Sequence, residues 1–280
     1  MNVFLTGATG KIGSRVVPRL LQRGHHVKLL VRDAAKADWF RRQGAEVYEG
    51  DLLHTDNWTD ALWGTDVVIH LAAQFRGVDE NTARMSNVDA SITLARAALK
   101  ADVPRFVFSS TSMVYGSPNH SRPSREDDEL KPISPYPQTK VAAEDALLRL
   151  HREQGLGLRI LRLAFVYGEQ DPHVREFLPF MQKWNPAKQL HMVHHADVNQ
   201  ALMLAASTLG IDGRIYNVAD DAPISAAELF QLHDHQIPSE TQQQEFNPWE
   251  MILETARIKD ELHYRPIFPS FYSARDAGAS

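Results

Sequence analysis

Tyr136-Pro137-Gln138-Thr139-Lys140 sets a phenol and an ammonium at positions i and i+4, which share one face of an α-helix. Pro137 suits the first turn of such a helix. A free phenol titrates near about 10, too high for a proton acceptor at neutral pH. An ammonium about 4 Å away, at an effective dielectric of about 20, favours the phenolate by roughly 4 kcal/mol, enough to bring the phenol toward about 7. The pair therefore predicts a general acid/base that exchanges a proton with a carbonyl or an alcohol. The segment Phe108-Ser109-Ser110-Thr111-Ser112-Met113-Val114-Tyr115-Gly116 directly follows an apolar strand. It puts several hydroxyls at the strand's carboxyl end, where one can hold a substrate oxygen toward the tyrosine.

Gly7-Ala8-Thr9-Gly10-Lys11-Ile12-Gly13 lies between the first apolar run and the first helical one. Glycines there permit a tight turn and close backbone approach to a pyrophosphate resting on a helix N-terminus. The spacing is GxxGxxG, and its place after the first strand predicts nucleotide binding, with Gly7, Thr9, Gly10, Lys11, Ile12 and Gly13 in the cradle. An NAD site places an acid at the end of the second strand. Here that strand ends Leu30-Val31-Arg32-Asp33. With Val31 at the end position the acid is absent, and the Arg32 guanidinium suits a 2′-phosphate, with Lys11 as a second positive charge. NADP is the expected cofactor; NAD is the alternative, in which Asp33 takes the ribose. Gly50-Asp51-Leu52 follows the third strand, with Asp51 and Leu52 expected at the cofactor, where Asp51 either accepts from the adenine amino group or closes a turn.

These groups need a scaffold, and the hydrophobic pattern supplies one. Apolar strands at 3–6, 27–31, 45–48, 67–71, 105–109 and 157–163 alternate with helical stretches at 11–23, 34–43, 57–63, 81–101 and 136–153. Continuous apolar strands separated by helices predict an α/β fold, a doubly wound parallel Rossmann sheet with the ligand crevice at the strands' carboxyl ends. After Gly168 the alternation stops: helices are expected at 176–183, 200–207, 226–232 and 254–262, and a strand at 215–218. A dinucleotide-binding domain is expected over 1–168, rejoined by about 190–221. A small C-terminal substrate-binding part is expected over 169–189 and 222–273, and a frayed tail over 274–280. The Ser-, Pro- and charge-rich stretch from Gly116 to Pro135 is expected to be a surface loop.

The chain has 280 residues, 30 basic and 35 acidic, for a net charge of −5. That balance argues against a nucleic-acid or anionic-membrane surface. The absence of cysteine excludes disulfides and thiolate chemistry and suits a reducing cytoplasm. No apolar run approaches the roughly 20 residues that span a bilayer. The first residues already read as strand and turn, so no leader peptide is expected. His191, His194 and His195 lack a second convergent cluster, and no metal is expected. The five tryptophans are expected in packing, the acidic run Glu126-Asp127-Asp128-Glu129 in a solvated loop, and Arg257, Lys259 and Arg265 on the surface.

Taken together, GATGKIG (7–13), GDL (50–52), IHLAA (69–73), Asn87-Val88, FSSTSMVYG (108–116), YPQTK (136–140), LRLAFVYG (161–168), HHADV (194–198) and IYNVADD (215–221) resemble an extended short-chain dehydrogenase/reductase of the NAD-dependent epimerase/dehydratase family. The resemblance covers nearly the whole chain. It implies that Tyr136 is the general acid/base and that Lys140 binds the nicotinamide ribose and lowers the tyrosine pKa. It implies that Thr111 holds the substrate oxygen and that Asn87 supports the site. Leu71, Ala72, Ala73 and Ser109 would pass near the cofactor. It further implies a homodimer through the helices at 81–101 and 136–153. Family dehydratases carry Thr-Asp-Glu where this chain has Thr111-Ser112-Met113, and family epimerases usually carry asparagine where it has Phe165. The stretch 169–190 is also short. These departures favour a smaller, more apolar carbonyl or alcohol substrate over a sugar nucleotide. The expected activity is hydride transfer between the nicotinamide and that substrate. An epimerase with retained NAD and a non-catalytic NADP(H) sensor are the alternatives.

Overall fold

The computed structural model describes residues 1–55, 57–75 and 77–280. The strands in chain order are β1 (Asn2–Thr6), β2 (His26–Val31), β3 (Glu46–Glu49), β4 (Val67–His70), β5 (Phe106–Thr111), β6 (Leu158–Leu163), β7 (Phe165–Tyr167), β8 (Gln189–Leu190), β9 (Met192–His194), β10 (Arg214–Val218) and β11 (Ile224–Ser225). The α-helices are α1 (Gly13–Gln22), α2 (Asp38–Arg42), α3 (Glu80–Arg84), α4 (Ala90–Lys100), α5 (Pro135–Gln154), α6 (His173–Met181), α7 (His195–Ser207), α8 (Ala226–Leu232), α9 (Ala256–Leu262) and α10 (Phe271–Asp276). No helix among the described residues is long and apolar enough to cross a membrane.

The chain forms two compact units. The first comprises Met1–Thr111, Ser134–Leu161 and Ala201–Tyr216. It is built on a seven-stranded sheet of order β3-β2-β1-β4-β5-β6-β10, the expected doubly wound Rossmann arrangement. The strands β1 to β5 pair in parallel, and the register sets Thr6 beside Leu30 and His70, and His70 beside Phe108. The glycine turn, the segment after β4 and the hydroxyl-rich end of β5 therefore leave the sheet along one edge. Phe4, Val68, Phe106 and Phe108 pack with Trp58, Leu94 and Leu147 to form the core. Near-continuous apolar strands are what a sheet covered on both faces requires.

Helix α5 starts with Pro135 and Pro137 in its first turn and ends on Gly155, whose φ of 75° only glycine adopts without strain. Its buried stripe runs through Thr139, Lys140, Ala143, Glu144, Leu147 and Leu150. Lys140 and Glu144 thus occupy positions where the 3.6-residue period calls for apolar side chains.

The stretch expected as one helix over 81–101 is α3, a π turn over Met85–Asp89, and α4. The expected helix at 34–43 is a 3₁₀ turn, Ala34–Ala37, followed by the short α2. Asp33 caps the 3₁₀ turn, its carboxylate accepting from Ala35 N at 3.1 Å.

The second unit comprises Ser112–Ile133, Arg162–Gln200 and Asn217–Ser280. Its core packs Tyr167, Leu178, Met192, Leu229, Phe230 and Phe271. The tail is not frayed. Helix α10 buries Phe271 and Ala274, and the Ala279 carbonyl accepts from Glu169 N at 2.9 Å. The run Glu126–Glu129 is not wholly solvated either. Glu126 is buried and accepts from Asn217 N at 2.9 Å, while Arg122 pairs with Asp128 at 2.6 Å.

Candidate active site

At the carboxyl edge of the sheet the first unit holds a cavity of about 260 Å³. Its walls are residues 6–10, 30–32, 50–53 and 71–74, with Ser86 and Ala90. The glycines decide its shape. A Cβ on Gly7 would lie 2.6 Å from Ala72 N, and one on Gly13 would lie 2.1 Å from Gly7 O. Only bare backbone lets β1, the segment after β4 and the start of α1 approach this closely. Because α1 begins three residues after Gly10, the positive end of its dipole lies at this edge. A cradle that a Cβ would fill, beside a helix N-terminus, fits a nicotinamide dinucleotide.

Of the residues expected at the cofactor, Gly7, Thr9, Gly10, Arg32, Asp51, Leu52, Leu71, Ala72 and Ala73 line this cavity. Lys11, Ile12 and Gly13 lie outside its wall, as do Tyr136 and Lys140. Ser109 is also outside, and its hydroxyl donates to the His70 carbonyl at 3.1 Å. Asp51 accepts from Leu53 N at 2.9 Å, which is the turn-closing role. Asp33 caps its 3₁₀ turn and stands 3.7 Å from Lys36. Arg32 is exposed and makes no ion pair with any described residue.

A hydrogen-bonded chain connects the cavity wall to α5. Asn87, buried in the π turn, accepts from Gln74 N at 2.7 Å and donates to Gln74 O at 2.9 Å. It also donates to Thr139 Oγ1 at 2.9 Å, and Thr139 in turn donates to the Tyr136 carbonyl at 2.7 Å. One asparagine thereby fixes the loop after β4 against the first turn of α5. The π turn is what brings Asn87 inward, and single π turns recur at functional sites. Beneath it, Ser91 donates to Asn87 O at 2.7 Å, so its oxygen accepts from His70 Nε2 at 2.8 Å. The imidazole is therefore neutral with its proton on Nε2, and Nδ1 accepts from Thr6 at 2.6 Å. Burial holds His70 at about 3, consistent with that state. Nothing in a strand that reads Val-Val-Ile-His marks this histidine as part of a site; its role comes from strand register.

Phe75 follows the pinned Gln74, and its ring meets that of Tyr136 edge-on, 4.7 Å between centroids at 84°. Lys140 Nζ sits 4.1 Å above the Phe108 ring. No hydrogen bond joins it to Tyr136 among the described residues, and the expected lowering of the phenol is not found. Burial pushes Tyr136 up to about 12 and Lys140 down to about 7, with the Glu144 carboxylate opposing the latter. Desolvation disfavours the charged form of each group. Glu144, one turn beyond Lys140, accepts a short hydrogen bond from Ser110 on β5. Thr111 is buried at the end of the same strand.

In the second unit, His195 Nε2 meets Asp171 at 2.9 Å, and His191 Nδ1 accepts from Leu253 N at 2.9 Å. Phe165 stacks on His173, 4.1 Å between centroids at 12°, and packs against Phe177. Of the tryptophans read as packing, Trp58 is buried, whereas Trp39 and Trp63 are 49% and 56% exposed. Arg257 pairs with Asp127 and Lys259 meets Asp221 at 2.6 Å.

Residues 3–219 match the model of the NAD dependent epimerase/dehydratase family. A 4-hydroxy-2-methyl-3-oxo-4-farnesyl-3,4-dihydroquinoline-1-oxide ketoreductase of Stigmatella aurantiaca is 30% identical over 249 residues, 83% of this chain and 72% of that one. A putative UDP-glucose 4-epimerase of Methanocaldococcus jannaschii is 30% identical over 261 residues, 84% and 82% of the two chains. The fold is shared with a short-chain dehydrogenase/reductase superfamily protein from Agrobacterium tumefaciens solved with bound NAD, at a TM-score of 0.82 and 23% identity over 99% of this chain and 96% of that one. With a family match across most of its length and a glycine cradle that fits the nucleotide, this chain belongs to the NAD dependent epimerase/dehydratase family and is an oxidoreductase of the epimerase/dehydratase type.

Proposed function

We propose that this enzyme reduces a small carbonyl compound, or oxidises the matching alcohol, with an exchanging NADP(H). The observation that carries the proposal is the Tyr136–Lys140 pair on α5, tied through Thr139 and Asn87 to the wall of the glycine-lined cavity. A bound dinucleotide supplies or takes up the hydride. Tyr136 holds its proton firmly at neutral pH, which suits donation to a carbonyl oxygen as that oxygen gains charge. Lys140, where protonated, stabilises the phenolate left behind. Thr111 orients the carbonyl oxygen. Asn87 acts as a positioning residue, holding loop and helix in one geometry.

Phenylalanine at 165, where the family resemblance implies asparagine, supports reduction over epimerisation of a sugar nucleotide, because a phenyl ring makes no conventional hydrogen bond. The relative from Stigmatella aurantiaca, a ketoreductase, points the same way. Epimerisation with retained NAD is the second reading, favoured by the relative from Methanocaldococcus jannaschii. The nucleotide released on denaturing the purified protein separates the two. Substoichiometric nucleotide together with NADPH-dependent reduction of aldehydes or ketones supports the reductase. Near-stoichiometric NAD with no net carbonyl reduction establishes the second reading instead.

The preference for NADP rests on Arg32, which lines the cavity while Asp33 is engaged as a cap. Arg32→Ala is expected to weaken NADPH binding by about 10-fold or more, the loss of one charge-assisted phosphate contact, while NADH affinity changes less than about 3-fold. Fluorescence titration of both nucleotides reads this; equal losses would remove the 2′-phosphate assignment.

A further inference from the structure

We propose that Phe75 determines substrate specificity, as a fixed apolar wall beside the reacting phenol that selects carbonyl compounds flanked by alkyl or aryl groups over polyhydroxylated ones. The assignment rests on the reductase reading and gives it a substrate class. Three observations carry it. Phe75 is 40% exposed, so this loop presents apolar surface to solvent. That ring stands edge-on to the ring of Tyr136, 4.7 Å between centroids, which puts it beside the side chain that donates the proton. The backbone just before it is clamped: Asn87 holds Gln74 at both N and O and holds Thr139 as well, and Thr139 holds the first turn of α5 at the Tyr136 carbonyl. The backbone that carries the wall is therefore held against the helix that carries the phenol.

A hydroxyl brought against this ring leaves water and gains no partner, which disfavours a sugar ring there. An alkyl or aryl flank loses only contact with water and gains dispersion contacts with the ring. The discrimination is thus a property of substrate binding and not of proton transfer. It falls mainly on KM, whereas a change in how Tyr136 is held falls on kcat for every substrate alike.

The test uses the full-length enzyme with NADPH and matched ketones that differ only in whether the flanking chain is alkyl or polyhydroxylated. The wild type is expected to favour the alkyl ketone in kcat/KM by at least about 10-fold. Phe75→Asn is expected to compress that ratio by about 10-fold, chiefly through KM, with NADPH affinity unchanged. Phe75→Leu is expected to retain the ratio, because leucine keeps an apolar wall. An unchanged ratio in Phe75→Asn, with kcat lowered equally for both ketones, would overturn the specificity role and leave Phe75 as a support for Tyr136. A wild type that binds NADPH and reduces neither ketone would overturn the reductase reading and this assignment with it.

Discussion

Tyr136→Phe is expected to lower kcat for carbonyl reduction by about 10³-fold, with nucleotide affinity within about 2-fold of wild type. The magnitude is that of a positioned general acid. The substitution deletes one oxygen and keeps the ring, so the edge contact with Phe75 survives and no cavity larger than a hydroxyl forms. The Thr139 bond goes to the Tyr136 backbone carbonyl, so the clamp by Asn87 also survives. Retained nucleotide binding with lost turnover therefore isolates the proton. Single-turnover kinetics with bound NADPH is the decisive measurement, since it excludes product release. Turnover within 10-fold of wild type would remove Tyr136 as the acid.

Lys140→Met is expected to lower kcat/KM by about 10²- to 10³-fold, the usual consequence of removing one preorganised charge from a reacting centre. It also has a signature in stability. Burial holds Lys140 at about 7 in the folded chain, against about 10.4 when unfolded. Between those values the unfolded chain binds more protons than the folded one, so stability rises with pH from about 7 to about 10. One such group contributes up to about 1.4 kcal/mol per pH unit in that window. On the acid side of about 7 both states hold the proton and the contribution is flat. Tyr136, raised to about 12, adds a dependence only above its unfolded value near 10, outside this range. Urea unfolding of the nucleotide-free protein at pH 7 and pH 9 checks this: the wild type gains stability between the two, and Lys140→Met gains less. Equal gains would mean that the lysine is solvated in the folded state.

The α/β alternation, the glycine turn and the Tyr136–Lys140 pair were legible because each is written within a short window. A buried parallel strand is a run of apolar residues, a helix is a 3.6-residue period, and a pair at i and i+4 needs no partner from elsewhere. The break of the expected helix over 34–43 into a 3₁₀ turn and a short helix was not legible, because Asp33 before it reads equally as the cap of either kind of turn. The π turn at Met85–Asp89 was invisible because one shifted hydrogen bond leaves the apolar pattern almost unaltered. Helix α7 begins at His195, earlier than its apolar period, because buried polar residues such as Asp197 and Asn199 replace apolar ones.

What the sequence by itself determined was which reactive groups exist and which element each one rides on. The tertiary structure decided their chemical state and their neighbours. Lys140 and Tyr136 carry opposite preferences for charge in water, and burial alone moves both toward neutrality. The loop after β4 brings the Phe75 ring to Tyr136, and Asn87, in the π turn, ties that loop to α5. Ala279 holds the chain end down because Glu169, far back along the chain, donates to it. Desolvation and long-range hydrogen bonds depend on which segments meet in space, and no local window of residue types contains that information.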